Sequence, residues 1–259
     1  MSCFERHAEF DLIHDHTGLL GLAVGASLAT PVVHTVHGPL TGPPGELYER
    51  VARLVQRPCL VSLSLAQRRP RPDLPWLANV PNAIDLDRYP FEPHDGDYLV
   101  WLGRMTPDKG ASRAINAAQK LGLPLKLAGK NAEPAEQAYF ETHVRPHLDG
   151  EIEFLGEIGH DEKVQLLRDA RAMLFPIDWE EPFGLVMIES MACGTPVIAS
   201  RRGSVPEVID DGVTGIIVDE WDTVDEALDR ADTFQSQAMR DAVERRFAPQ
   251  GMVADYIAA

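Results

Sequence analysis

Two glutamates flank a short apolar run and are the clearest candidates for chemistry in this chain. Glu181 and Glu189 lie eight positions apart in EPFGLVMIESMACGTP, residues 181–196. A pair of carboxylates can bind hydroxyl groups, and one embedded in LVMIESMA is out of character for a solvent-exposed helix face. The alternative is that one is a solvated helix residue and the other a partner of the helix dipole.

The residues around this pair predict a strand, a turn, a helix and a second strand. AMLFPID (172–178) has the pattern of a buried strand, and Pro182 and Gly184 predict a turn. The segment 185–192 predicts a short helix that stops at Gly194, and PVIAS predicts the next strand. The turn then lies at the amino end of a helix, where free backbone N–H groups favour an anion such as phosphate.

These residues resemble a known signature. E-P-F-G, a second Glu eight residues after the first, and MACGTPV resemble the E-x7-E motif of retaining glycosyltransferases of family 4, also called group 1, which have the GT-B fold. The resemblance implies that Glu181 contacts hydroxyls of the donor sugar and acts in catalysis, and that Glu189 binds the ribose of the nucleotide. It also implies that the segment after Pro182 holds the sugar and diphosphate, through Phe183, Gly184, Leu185 and Val186.

A second charged segment follows an earlier predicted strand. WLGRMTPDKG (101–110) resembles the family segment whose Arg and Lys bind the donor diphosphate, here Arg104 and Lys109. Two cations at a strand end would stabilise the charge that builds on a departing diphosphate, each by about 1.5–3 kcal/mol. The alternative is a solvated loop in which these cations pair with Asp108.

Three histidines and one isoleucine are further candidate site residues. The resemblance places His37, in HTVHGPL, beside the sugar as a second catalytic residue, and the alternative is a strand-end imidazole bonded to main chain. It also implies that Ile158 and its neighbours frame the nucleotide base. His14 and His16 share a strand face but lack a third ligand at metal-binding spacing. No D-x-D pair of the sort expected from metal-dependent transferases of the other large fold is found, so we expect no metal and no other cofactor.

Composition limits the function classes. The chain has 24 basic and 40 acidic residues, a net charge of −16, which argues against non-specific nucleic-acid binding. Its three cysteines form no C-x-x-C pair, which favours a reducing compartment. No signal peptide pattern opens the chain. We therefore expect a cytoplasmic protein, and a peripheral position at the inner face of the membrane is the alternative.

The order of predicted elements indicates an α/β, GT-B-like fold with two Rossmann-like domains of doubly wound parallel sheet. A first set of strands is predicted at 10–16, 31–38, 59–64 and 77–84, with helices at 18–29 and 45–56 and a surface loop at 68–75. A second set of strands is predicted at 98–104, 123–129, 151–158, 172–178, 196–200 and 214–219. Its helices are predicted at 110–121, 134–148, 161–171, 185–192 and 205–210, with another from 223.

The domain boundaries follow from this order. We expect a partial N-terminal, acceptor-side domain over 1–93, a nucleotide-sugar-binding domain over 94–240 and a C-terminal tail over 241–259 that packs toward the first domain. The first domain is expected to be incomplete, because nothing before FDLIHDH can form the strand, glycine-rich loop and helix with which the family usually begins.

Three functions remain open from these residues. The first is transfer of a hexose-type sugar from a UDP- or GDP-linked donor to an unknown acceptor, which could be a saccharide, a lipid or a small molecule, with retention of configuration. The second is a truncated or degenerate protein that binds nucleotide sugar without turnover. The third is another GT-B enzyme, an epimerase or a phosphorylase. An incomplete first domain would also expose a sheet edge, which predicts self-association.

Overall fold

A computed structural model describes residues 3–54, 59–92 and 96–259 of the chain. The chain divides into two compact units. Unit 1 comprises the described residues as far as Ala83, together with Glu180–Phe183 and Gln250–Ala259. Unit 2 comprises the described residues of Ile84–Trp179 and Gly184–Pro249. Each unit contains one parallel sheet, which confirms the predicted fold class.

Unit 1 is built on short strands. They are β1 (Ile13–Asp15), β2 (Val32–Thr35), β3 (Leu60–Ser62) and β4 (Trp76–Asn79). Its helices are α1 (Leu19–Gly25), α2 (Gly42–Ala52), α3 (Leu65–Arg68) and, apart from its first residue, α11 (Pro249–Ala258). The strands lie in the order β1-β2-β3-β4, and each pairs in parallel with the next. Parallel neighbours joined by helical crossovers agree with the predicted alternation of strands and helices.

Unit 2 contains six strands. They are β5 (Leu99–Leu102), β6 (Leu125–Ala128), β7 (Ile152–Phe154), β8 (Ala172–Phe175), β9 (Val197–Ser200) and β10 (Gly215–Val218). Its helices are α4 (Ala111–Leu121), α5 (Pro134–His143), α6 (His160–Arg168), α7 (Leu185–Ala192), α8 (Val205–Val208), α9 (Val224–Ala231) and α10 (Ser236–Phe247). Single-turn 3-10 helices lie at His7–Glu9, Leu86–Arg88, Pro107–Lys109, Arg145–His147 and Trp221–Thr223.

The strand order of unit 2 determines where a ligand can bind. The six parallel strands lie in the order β10-β9-β8-β5-β6-β7, so the chain proceeds outward from β5 in one direction and from β8 in the other. β5 and β8 are direct neighbours, with Leu99 paired to Ala172 and Val100 to Met173. Such a reversal leaves a crevice outside the carboxyl ends of the two central strands. The loops that follow β5 and β8 therefore form the candidate site of this unit.

Several predicted bounds differ from the structure. The helix expected from residue 45 begins at Gly42, because two prolines fit its first turn, where they forfeit no hydrogen bond. Its predicted end at Gln56 lies outside the described residues. The loop expected at 68–75 is preceded by α3, whose first turn is capped by the Ser64 side chain. The helix expected over 134–148 ends at His143, because a proline three residues later requires a break.

The division into units also differs from the predicted boundaries. Unit 2 begins at Ile84 rather than at residue 94, since the N–H of Ile84 donates to the carbonyl of Phe247 at 3.0 Å. Pro93, the last residue of the predicted first domain, lies outside the described residues. The segment grouped with unit 1 begins at Gln250 rather than at residue 241. Tyr256 in that segment bonds Thr35 Oγ1 through its hydroxyl at 2.7 Å.

Candidate functional site

The two central loops of unit 2 contact each other directly. The N–H of Asp178, after β8, donates to the carbonyl of Asp108, after β5, at 2.8 Å. Arg113 Nε donates to the carbonyl of Pro176 at 2.7 Å. Gly110 lies against the same carbonyl with φ +78°, and a Cβ there would come within 2.1 Å of that oxygen. The loops are thus fixed against each other by main-chain bonds and by a glycine that leaves no room for a side chain.

The predicted diphosphate ligands lie in the loop after β5. Lys109 is half-buried, its carbonyl accepts a hydrogen bond from Trp101 Nε1 at 3.1 Å, and its ammonium lies 4.2 Å from the centre of the Trp179 ring. A cation over an indole face is held electrostatically, by about 0.5–1 kcal/mol or more. Arg104 is exposed at the start of the same loop. The loop therefore presents two cations at the carboxyl edge of the sheet.

Helix α7 begins in the loop after β8 and has the predicted bounds. Gly184 adopts φ +80° at its amino end, and the N–H of Met187 bonds the Gly184 carbonyl at 3.0 Å. The amides of Leu185 and Val186 occupy the first turn, where an α-helix supplies no intrahelical acceptor. Gly194, at φ +84°, ends the helix as predicted. The amino end of α7 thus offers oriented N–H groups to an anion.

Glu189 is buried inside unit 2, with 7% of the residue exposed. Its Oε1 accepts a hydrogen bond from Lys163 Nζ at 2.6 Å and another from the Tyr89 hydroxyl at 2.8 Å. Burial raises the pKa of Tyr89, and the nearby Glu189 carboxylate raises it further, so the hydroxyl keeps its proton and donates. Glu189 is therefore an anchored side chain rather than a surface glutamate.

The loops after β5, β6 and β7 are linked side by side. The N–H of Gly103 bonds the carbonyl of Ala128 at 3.1 Å, and the N–H of Gly129 bonds the carbonyl of Gly156 at 2.8 Å. A Cβ on Gly129 would come within 1.7 Å of the Gly103 carbonyl oxygen, so only glycine permits this approach. Ile158 follows in the third loop and is half-buried. Ile158, which is predicted to border the base, therefore lies in a loop that is linked by hydrogen bonds, through the loop after β6, to the loop that carries Arg104.

The other predicted residues of the E-P-F-G segment belong to unit 1. Glu181 is 8% exposed and Phe183 2% exposed. The carbonyl of Pro182 accepts a hydrogen bond from Ser64 Oγ at 2.7 Å. Ser64 Oγ also accepts from the N–H of Gln67 at 3.1 Å, which caps α3. A serine hydroxyl that both donates and accepts thus ties this segment to a helix start within unit 1.

His37 follows β2 in unit 1 and contacts another imidazole. His37 Nε2 lies 2.8 Å from His16 Nδ1, and the His16 ring packs 4.2 Å from that of His14. Burial lowers the pKa of His37, and the neighbouring His16 and His34 lower it further. The His37 side chain thus contacts the imidazole of His16, which directly follows the adjacent strand β1. In the described part of the chain, no group of three or more His, Cys, Asp or Glu side chains is arranged to hold a metal ion.

Three contacts of the site were missing from the sequence prediction. Tyr89 lies between the strands predicted at 77–84 and 98–104, Lys163 lies in the helix predicted over 161–171, and Trp179 directly follows the strand predicted over 172–178. Tyr89 is 100 residues from Glu189 along the chain, and Lys163 is 26 residues away. A single aromatic residue before E-E-P-F-G was the only local signal that could have pointed to the Lys109 contact.

Comparison with known families identifies the chain. The family model described as glycosyl transferases group 1 matches residues 85–246. The chain belongs to this family. The match runs from the segment that carries Tyr89 to the penultimate residue of α10, and it includes both central loops.

Individual relatives extend over most of the chain. It is 31% identical to a D-inositol 3-phosphate glycosyltransferase of Mycolicibacterium smegmatis, over 88% of this chain and 62% of the relative. It is 30% identical to a glycogen synthase of Mycobacterium tuberculosis, over 80% of this chain and 56% of the relative. The chain thus spans about six tenths of the length of these curated relatives.

Solved structures show the same fold. AviGT4, a glycosyltransferase involved in avilamycin A biosynthesis, is 26% identical with a TM-score of 0.77, over 98% of this chain and 74% of that one. Anabaena Alr3699/HepE is 20% identical with a TM-score of 0.83, over 98% of this chain and 80% of that one. The GT-B-like class predicted from the sequence is confirmed by these similarities. None of the helices in the described ranges has the length and apolar character that a membrane crossing requires.

Proposed function

We propose that this chain transfers a hexose-type sugar from a nucleoside-diphosphate sugar to an acceptor, with retention of the anomeric configuration. The observation that carries the proposal is the meeting of two anion-binding elements at the centre of the unit 2 sheet. The loop with Arg104 and Lys109 bonds directly to the loop that precedes α7. The structure of Alr3699/HepE in complex with UDP-glucose supports a nucleoside-diphosphate sugar as the donor, since that protein has the same fold.

The residues of unit 2 receive the nucleotide part of the donor in this proposal. Arg104 and Lys109 bind the diphosphate together with the amides at the start of α7 (Gly184, Leu185 and Val186). Glu189 accepts hydrogen bonds from ribose hydroxyls, and the loop with Ile158 borders the base. The carrier is UDP or GDP. Glu189 and the amides of α7 are held in place before the ligand arrives, so little of their conformational entropy is lost on binding.

The remaining residues act on the sugar. Glu181 binds its hydroxyl groups, Phe183 supports that segment, and His37 orients the reacting carbon. The bond between the anomeric carbon and the diphosphate oxygen breaks while the acceptor oxygen attacks from the same face. The proton of the acceptor hydroxyl passes to the departing phosphate oxygen. Arg104 and Lys109 stabilise the charge that builds on this oxygen, and no metal ion is assigned a role.

Glu181 provides the direct test of transfer. Glu181→Ala should lower kcat by about 10²- to 10³-fold, because a hydrogen bond to the reacting sugar is lost in the transition state. The assay measures release of nucleoside diphosphate from the donor sugar, with circular dichroism as a check that the variant folds. The matched control is Glu180→Ala, which removes the exposed carboxylate next to it. Turnover that survives in Glu181→Ala at the wild-type rate would show that the assignment is wrong.

A second candidate is a protein that binds nucleotide sugar without turnover. Binding of UDP or GDP without any product, under the conditions of the Glu181 assay, would support it. The third candidate, an epimerase or a phosphorylase, predicts an isomerised sugar or phosphate-dependent release of a sugar phosphate, and a phosphorylase would also carry pyridoxal phosphate.

We also propose self-association through the sheet edge of unit 1. β1 is the terminal strand of that sheet, and Leu12, Leu20 and Ile257 in the same unit are exposed. An unpaired strand edge beside apolar side chains favours association with a second copy. We keep the cytoplasm, or its membrane face, as the proposed location, which fractionation of expressing cells would test.

A further inference from the structure

The Glu189 carboxylate is bonded on one oxygen only in the described part of the chain. Lys163 Nζ and the Tyr89 hydroxyl both donate to Oε1, at 2.6 and 2.8 Å. Each carboxylate oxygen can accept about two hydrogen bonds, so these donors fill the capacity of Oε1. Oε2 keeps two acceptor positions, the number needed for a pair of neighbouring hydroxyl groups.

The two donors are themselves held in place. Tyr89 is 4% exposed, and its carbonyl accepts a hydrogen bond from Arg240 Nη1 at 2.6 Å. The ring of His160 packs edge-on against the Tyr89 ring, with 5.2 Å between centroids. Lys163 lies in the first turn of α6, and its side chain keeps 25% of its surface exposed. Glu189 Oε1 is therefore held by a buried hydroxyl donor and by a partly exposed ammonium.

The positive charge of Lys163 offsets the free-energy cost of burying the Glu189 carboxylate. An ionised carboxylate that is only 7% exposed is costly unless a positive charge and hydrogen bonds compensate it. Lys163 supplies the charge, and two donors on one oxygen restrict the side chain to one rotamer. Glu189 can then bind a ligand without first losing conformational freedom.

We propose that Lys163 and Tyr89 are positioning residues, which hold Glu189 by Oε1 and keep Oε2 available to the 2′- and 3′-hydroxyl groups of the donor ribose. The inference rests on the proposed function of Glu189. It assigns two residues that do not contact the sugar, and it predicts that their loss reduces recognition of ribose in particular rather than of the whole nucleotide.

The test compares UDP with 2′-deoxy-UDP by calorimetry, or GDP with 2′-deoxy-GDP if the chain binds GDP. Wild type should prefer the ribonucleotide by about 10- to 100-fold, the value of one hydrogen bond to a charged group. Lys163→Met should lower this preference to less than about threefold, because Oε2 is no longer held in place. Tyr89→Phe should lower it by a smaller factor, since the ammonium remains.

The matched control is Lys126→Met. Lys126 lies on β6 in the same unit, with its ammonium 3.7 Å from the centre of the Tyr98 ring. This variant should keep the wild-type preference. If Lys163→Met does not fold, Tyr89→Phe carries the test, because it removes only one hydroxyl group.

Three results would overturn the inference. An unchanged preference in both variants would show that Glu189 needs no positioning. An equal loss of affinity for both nucleotides would show that Lys163 and Tyr89 only stabilise the fold. Absence of binding of either ribonucleotide to wild type would overturn the proposed function, and the inference with it.

Discussion

Gly110 and Gly122 lie at the two ends of α4 and provide a matched pair of alanine substitutions. Gly110 precedes α4, and Gly122 follows the same helix, both with positive φ, +78° and +64°. Alanine at either position adopts an unfavourable left-handed conformation, which costs about 1–2 kcal/mol. Only at Gly110 does the added Cβ also meet an obstacle, the Pro176 carbonyl oxygen at 2.1 Å, whereas nothing lies within 4 Å at Gly122.

The carbonyl of Pro176 cannot retreat freely, because it accepts a hydrogen bond from Arg113 Nε. Relief of the overlap must therefore separate the two central loops, and overpacking of this kind costs about 1–3 kcal/mol. Gly110→Ala should lower the free energy of unfolding by about 2–5 kcal/mol in total, and Gly122→Ala by about 1–2 kcal/mol.

Urea denaturation followed by circular dichroism measures both variants. Gly110→Ala should also weaken nucleotide binding, because Lys109 is its immediate neighbour, and Gly122→Ala should not. Equal destabilisation by the two substitutions would contradict the steric overlap expected between a Cβ at Gly110 and the Pro176 carbonyl. It would mean that the loops after β5 and β8 are not packed against each other as described.

Two further predictions concern the cysteines and the sheet edge. Cys3 is exposed, whereas burial raises the pKa of Cys59 to about 11 and that of Cys193 to about 12. Ellman's reagent at pH 8 should therefore titrate one thiol in the native protein and three in urea. Rapid reaction of more than one thiol in the native protein would contradict the burial of Cys59 and Cys193. Static light scattering of the wild type should give a mass above that of the monomer. Leu20→Lys places a charge on the exposed face of α1 and should lower the measured mass. A monomeric wild type would contradict self-association.

The sequence was most informative where its signals were local. The α7 bounds and the glycine that ends it were predicted correctly, because a turn, an apolar run and a stop glycine lie within a dozen residues. The four strands of unit 1 and the six of unit 2 were also predicted, since buried strands and helices alternate in the chain. The neighbouring positions of β5 and β8, and so the meeting of their loops, were not predicted, because the alternation of elements does not determine the strand order.

Contacts between distant residues could not be predicted in this way. The partners of Glu189 come from a connecting segment and a neighbouring helix, and their own sequences show nothing that distinguishes them from linker and surface residues. The contact of Lys109 with Trp179 depends on the exact course of two loops. The pairing of His16 with His37 depends on the register of β1 and β2. Each of these contacts is determined by tertiary packing rather than by a local pattern.

The proposed function requires that unit 2 binds a nucleoside diphosphate through Glu189 and the two central loops. Isothermal titration calorimetry of the purified chain with UDP and with GDP tests it most directly, with Glu189→Ala as the variant and circular dichroism as the check on its fold. Wild type should bind one of the two nucleotides, and Glu189→Ala should lose at least about tenfold in affinity, the value of a hydrogen bond to a charged group. Failure of wild type to bind either nucleotide, or equal binding by the variant, would contradict it.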